Sequence, residues 1–187
     1  ISPLDCGNSG TTTRLLSGLL SGQEMDVQLM GDESLSARPM GRIILPLTKM
    51  GAEISCNDCK LPLSISSKSL NGIEYTLPVA SAQVKSSIMF AALGAMGKTK
   101  IVEPVKTRDH SEIMLESLGV EISVNKNEIL VSPLKGKLNS FELTIPGDPS
   151  SAAFFATAAA MIPNSDLTIK NISANPTRVG FFHSLEK

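Results

Sequence analysis

The sequence predicts an α/β (α+β) fold built from a repeated β-α-β-α-β-β unit. Three observations carry this reading. Strand-like alternation and helix-like apolar stripes take turns along the 187 residues. Met50-Gly51-Ala52-Glu53-Ile54-Ser55 reappears as Leu118-Gly119-Val120-Glu121-Ile122-Ser123, which sets a repeat of about 70 residues. Helix-opening loops rich in Ser, Gly, Thr and Gln recur within that period, at Asp5 to Arg14, Ala80 to Ser86 and Gly147 to Ser151.

The first loop, Asp-Cys-Gly-Asn-Ser-Gly-Thr-Thr-Thr-Arg, leads into a helix whose apolar positions are Leu15, Leu16, Leu19 and Leu20. Val27 and Leu29 alternate as a short strand. A second helix is expected from Arg38-Pro39, since proline is favoured at the first helical position, with a stripe Met40, Ile43, Ile44, Leu47, Met50 and a kink at Pro46. Gly51 ends it, and strands follow at Ala52 to Ser55 and Leu61 to Ile65. From Ile73 the order repeats: alternation at Ile73, Tyr75, Leu77 and Val79, a small-residue helix to about Met96, and a strand at Thr99 to Glu103. A helix then opens at Arg108, with Asp109 and Glu112 spaced as a capping box, and a strand at Val120 to Val124 follows. A third pass is expected from a strand at Phe141 to Ile145, a helix at Ala152 to Met161 and a strand at Leu167 to Ile172.

Composition narrows the function classes. The chain is 42% hydrophobic with a net charge of −1, which allows a sizeable core. No basic run, aromatic-interleaved basic patch or long apolar segment appears, which argues against nucleic-acid and membrane partners. Cys6, Cys56 and Cys59 are an odd number without a secretory signal, so a reducing, cytoplasmic setting is expected. Cys56 and Cys59 form a C-x-x-C with no second ligand pair, and they read as a hairpin turn rather than a zinc site. The opening on Ile1, almost directly at the first loop, suggests a missing N-terminal segment, and the third unit lacks its end.

What chemistry the residues suggest is anion binding. A glycine lets backbone approach a ligand, hydroxyls donate, and the orphan N–H groups of a helix first turn carry partial positive charge. An N-capped helix explains one such loop, but three at equivalent corners of one repeat suggest a common use. Gly7 and Gly10 lack the Lys-Ser/Thr of a phosphate-binding P-loop, which argues against nucleotide hydrolysis. Arg38 and Arg108, each expected at a helix start where a cation opposes the dipole, read as solvated arginines or as ligand holders. His110 reads as a first-turn surface residue, and Asp109 and Asp148 as helix caps. Lys85 and Lys106 read equally as surface charges or as electrostatic support.

Taken in order, Gly7-Asn8-Ser9-Gly10-Thr11-Thr12-Thr13-Arg14, Arg38-Pro39-Met40, Ala80-Ser81-Ala82-Gln83-Val84-Lys85-Ser86, Thr107-Arg108-Asp109-His110 and Gly147-Asp148-Pro149-Ser150-Ser151-Ala152 resemble successive motifs of the 5-enolpyruvylshikimate-3-phosphate synthase family. The resemblance covers nearly the whole chain. It implies a two-lobed, monomeric, cytoplasmic enzyme of the inside-out α/β barrel type, each lobe made of three such units. It also implies transfer of the enolpyruvyl group of phosphoenolpyruvate to the 5-hydroxyl of shikimate 3-phosphate, with release of phosphate and no cofactor or metal.

On that resemblance, residues 1–72 are a second unit truncated at its start, 73–143 a third unit, and 144–187 the lobe crossing and the start of the C-terminal lobe. It puts Gly10 and Arg38 on phosphoenolpyruvate-binding positions, Ser81 and Arg108 on shikimate 3-phosphate positions, and Gln83 on one that meets both. The Ala-Ser-Ala-Gln form is similar to the glyphosate-tolerant branch, though tolerance does not follow from it. The family's Lys-Ser-x-x-x-Arg motif is expected before Ile1, and its catalytic Asp and Glu with two further arginines after Lys187, so this chain alone is expected to be inactive. A related transferase acting on UDP-N-acetylglucosamine would carry a reactive cysteine before its Arg-Pro, and Asp32 to Arg38 holds none. A non-catalytic repeat module that binds a partner protein is the alternative of a different class.

Overall fold

The computed structural model describes residues 3–23, 25–66 and 68–186. The chain divides into two compact units, Ile1–Asn139 and Ser140–Lys187.

In the first unit the elements run β1 (Leu4–Asp5), α1 (Gly10–Ser21), β2 (Val27–Met30), α2 (Glu33–Ser36), α3 (Gly41–Met50), β3 (Glu53–Asn57) and β4 (Lys60–Ser66). After β5 (Leu70–Asn71) the series repeats as β6 (Glu74–Thr76), α4 (Ala82–Leu93), β7 (Ala95–Met96), β8 (Thr99–Val102), α5 (His110–Ser117), β9 (Ile122–Asn125) and β10 (Glu128–Val131). The two four-stranded sheets have the same order, β1-β2-β4-β3 and β6-β8-β10-β9. In each, the first pair is parallel and the other two are antiparallel. The sequence repeat is therefore a repeat of topology. β5 and β7 add a separate parallel pair.

Both hairpins turn on two residues. Asn57 pairs with Lys60 across Asp58 and Cys59, which both have positive φ, and Asn125 pairs with Glu128 across Lys126 and Asn127. The C-x-x-C is thus part of the β3–β4 hairpin, as its spacing suggested.

Alternation and stripe explain the core. Leu29 of β2, Leu63 and Ile65 of β4, Ile43, Leu47 and Met50 of α3, and Ile88 and Met89 of α4 with Ile101 and Ile129 are buried in one core. α4 is buried nearly all round and packs most extensively against α1. That contact runs backbone against backbone: a Cβ added at Gly18 would lie 2.0 Å from the Ser87 carbonyl oxygen, and one at Gly94 would lie 2.3 Å from that of Gly22. Ser17 and Ser21, buried on α1, satisfy themselves by donating to Thr13 and Ser17 carbonyls, at 2.8 and 2.7 Å.

Several boundaries differ from the sequence reading. The helix expected from Arg38 begins at Gly41, with Met40 as its N-cap and the Met40 N–H donated to the Cys59 carbonyl of the hairpin at 2.7 Å. Arg38 instead follows α2, a four-residue helix capped by Asp32 that is too short to show a period. At the end of α2 a cation meets the dipole favourably, which reverses the electrostatic argument made for Arg38. α3 continues through Pro46 without interruption to its left-handed cap at Gly51, φ +108°. α4 stops at Leu93, and Ala95 and Met96 join a strand. The Asp109–Glu112 capping box does not form: the Asp109 side chain makes no cap, and Glu112 is turned inward to Lys85.

The second unit holds α6 (Pro149–Met161), capped by Asp148 with Pro149 opening it, and α7 (Gly180–Leu185). Phe141 to Ile145 forms no strand. Leu167 to Ile172 contributes only one parallel bridge, Ile172 to Gly147. With no flanking strand to build a ladder, such a pair is marginal. Ile145, Phe154 and Met161 are accordingly 81%, 79% and 77% exposed.

Candidate anion-binding site

The loop before α1 is fixed by local hydrogen bonds. Ser9 caps the helix, accepting from the Thr12 N–H at 3.1 Å and from its hydroxyl at 2.8 Å. Gly7 sits at φ +55° and donates its N–H to the Asp5 carboxylate at 2.8 Å, while its carbonyl accepts from the Asp32 N–H at 2.9 Å. Asn8 links the α2 region to this corner: its amide N–H donates to Asp32 at 2.7 Å, and its oxygen accepts from Arg38 at 2.8 Å.

Gly10, the first residue of α1, lies between two guanidiniums. A Cβ there would come within 2.8 Å of an Arg14 nitrogen and 3.5 Å of an Arg38 nitrogen. Arg14 donates to the Gly10 carbonyl at 3.3 Å and to the Gln83 side-chain oxygen at 2.9 Å. The Gln83 amide nitrogen in turn donates to the Thr11 hydroxyl at 2.7 Å. Burial, and then the charges of Arg38 and Arg42, lower the Arg14 pKa from its usual value. On the Asp32 side, the hydrogen bond from Asn8 does most to hold that carboxyl below its usual range, with the Arg38 charge as a lesser cause. Arg14 donates to a carbonyl and an amide, and among the described residues its charge is not paired with a carboxylate.

Of the residues singled out in the sequence, Gly10, Arg38 and Gln83 thus meet at one corner, from loops and helices of both repeats. Ser81 caps α4 by accepting from the Val84 N–H at 3.4 Å, two residues before Gln83. Arg108 stands exposed just ahead of α5 and makes no hydrogen bond or ion pair to that corner among the described residues. Arg14 was read only as the end of the first motif. Its place one helical turn after Gly10 was the available signal, because residues four apart share a helix face.

Cys59 lies beside Gly41, and its thiol is pushed up, chiefly by Cys56. Among the described residues no group of three metal-ligating side chains occurs, and no helix is long and apolar enough to cross a membrane.

Guanidiniums, an amide and hydroxyls around a glycine at a helix N-terminus bring together the donors and positive charge that suit a small, multiply charged anion. Comparison with known proteins agrees with the motif order. The family model described as EPSP synthase (3-phosphoshikimate 1-carboxyvinyltransferase) matches residues 2–187. The 3-phosphoshikimate 1-carboxyvinyltransferase of Ruthia magnifica subsp. Calyptogena magnifica is 53% identical over 188 residues, covering 100% of this chain and 43% of that protein. Its counterpart from Endomicrobium trichonymphae is 53% identical over 182 residues, covering 97% of this chain and 42% of that protein. The structure of EPSP synthase from Acinetobacter baumannii matches with a TM-score of 0.87 at 46% identity, covering 97% of this chain and 41% of that one. The chain spans less than half the length of these relatives, and it belongs to the EPSP synthase family.

Proposed function

We propose that the protein containing this chain transfers the enolpyruvyl group of phosphoenolpyruvate to the 5-hydroxyl of shikimate 3-phosphate. In that reaction the bond from the enol carbon to the phosphate oxygen breaks, a bond to the hydroxyl oxygen forms, and phosphate leaves with the hydroxyl proton. The observation that carries this reading is the pair of guanidiniums, Arg14 and Arg38, converging on Gly10 while Arg14, among the described residues, is bound only to neutral groups. Phosphoenolpyruvate, with a phosphate and a carboxylate on one small frame, offers the charge to answer both.

Gln83, which accepts from Arg14 and donates to Thr11, then faces both substrates, while Ser81 and Arg108 take the phosphate of the sugar. The chain supplies binding and orientation, and the proton-transfer groups come from the rest of the protein. The 187-residue chain alone should therefore hold shikimate 3-phosphate weakly without turnover. A cytoplasmic setting fits the three free thiols, and a monomer is proposed on the family resemblance alone.

The test is Arg38→Ala in the complete protein. Charge-assisted bonds to the anion are worth about 1.5 to 3 kcal/mol, so the KM for phosphoenolpyruvate should rise roughly tenfold or more. An unchanged KM would remove Arg38, and with it the anion corner, from the site.

A further inference from the structure

Lys85 is wholly buried, yet it is a lysine in the second turn of a helix whose first turn carries Ser81 and Gln83. Its ammonium meets Glu103 at 3.2 Å and Glu112 at 2.5 Å, both carboxylates buried with it. The second Glu112 oxygen is buried without a partner. Taking three charges out of water is expensive, and apolar side chains of similar volume commonly stabilise a core as well or better. The repeat itself shows that the fold does not require such a group. Lys85 and Thr13 stand at the same place in their helices, each donating its N–H to the carbonyl of the cap, Ser81 or Ser9. Where α4 has a lysine and two acids, α1 has a neutral threonine donating to its own cap carbonyl.

What differs between the repeats is what lies at the other end of the cluster. Glu103 directly follows β8, and its other oxygen accepts from both the N–H, at 3.3 Å, and the hydroxyl of Thr107. Glu112 lies in the first turn of α5. Arg108 lies between these anchors, next to Thr107. A bond between the Ser86 and Ser111 hydroxyls, 2.6 Å, straps the same two helices again.

We infer that Lys85 is a positioning residue: through Glu103–Thr107 on one side and Glu112 on the other, it holds the segment carrying Arg108 in register with Ser81 and Gln83 on α4. Arg108 is exposed and gains its fixed place from its neighbours' bonds rather than from its own. This rests on the reading of Arg108 as a holder of the sugar phosphate. Preorganising that arginine lowers the entropy lost when the phosphate binds.

The experiment is calorimetric titration of the complete protein with shikimate 3-phosphate, with unphosphorylated shikimate and phosphoenolpyruvate as parallel probes. Thr107→Val removes the hydroxyl link and leaves the buried ion pairs intact, so it keeps the test decisive even if Lys85→Met fails to fold. Thr107→Val should weaken shikimate 3-phosphate binding roughly fivefold, the worth of about one hydrogen bond, and leave the other two affinities unchanged. In an Arg108→Ala background the same substitution should cost nothing further, as should Lys85→Met where it folds. Wild-type affinity in Thr107→Val, or an equal loss with and without Arg108, overturns the positioning role. Wild-type affinity in Arg108→Ala alone overturns the assignment of Arg108 beneath it, a different failure.

Discussion

Replacing Gly18 by alanine tests whether the α1–α4 seam governs both stability and the site. In an exposed helix interior the change would stabilise by roughly 0.5 to 1 kcal/mol, through helix propensity. Here the new Cβ would lie 2.0, 2.6 and 2.8 Å from the oxygen, carbonyl carbon and Cα of Ser87. These are backbone atoms inside a helix, so no rotamer change relieves the clash. The two helices must separate by roughly 1 Å, in an interior packed too densely to absorb it. Overpacking of this kind costs about 1 to 3 kcal/mol, and a backbone neighbour puts it at the upper end. The net loss is then about 2 kcal/mol, or roughly 4 to 8 °C in Tm for a chain of this size. Separation also stretches the bonds that cross the seam, Arg14 to Gln83 at 2.9 Å and Gln83 to Thr11 at 2.7 Å. Thermal and urea unfolding followed by far-UV circular dichroism measure the first effect, and titration with phosphoenolpyruvate the second. A Tm at or above that of the unsubstituted chain would refute the reasoning.

Gly10→Ala should behave in the opposite way. Its Cβ meets only the far ends of the Arg14 and Arg38 side chains, which can move, so Tm should hold within about 2 °C while phosphoenolpyruvate binding weakens severalfold; an unaltered affinity would separate Gly10 from the anion corner. Asp32, whose carboxyl is held below its usual range first by Asn8, contributes its share of stability fully above the ordinary carboxylate pKa. That share is lost as pH falls through the lower folded value. A carboxyl-carbon NMR titration should therefore find the Asp32 midpoint below that of an unstructured aspartate, and the Asn8→Ala variant should move it upward.

Much of this molecule was legible from its residues alone. Periods of two and 3.6 located the main strands and helices, the Met50–Ser55 and Leu118–Ser123 match announced the topological repeat, and Ser9, Ser81 and Asp148 cap helices where their loops indicated. These features are local, and a few neighbouring residues suffice to specify them. α2 was missed because a single turn has no period, and the capping box failed because Lys85 draws Glu112 into the core more strongly than a local N–H does.

Only tertiary structure decided the rest. The strands expected at Phe141 to Ile145 and Leu167 to Ile172 lack the partners that make a ladder. Lys85 is buried with Glu103 and Glu112, 18 and 27 positions further on, a meeting that no local window of sequence records. Arg14 meets Gln83, 69 positions away, because Gly18 and Gly94 let two helix backbones touch. The sequence thus determined which donor groups stand at the helix-opening loops. Their convergence depends on the packing of α1 against α4, because contacts between residues far apart in the chain are set by how the elements fit.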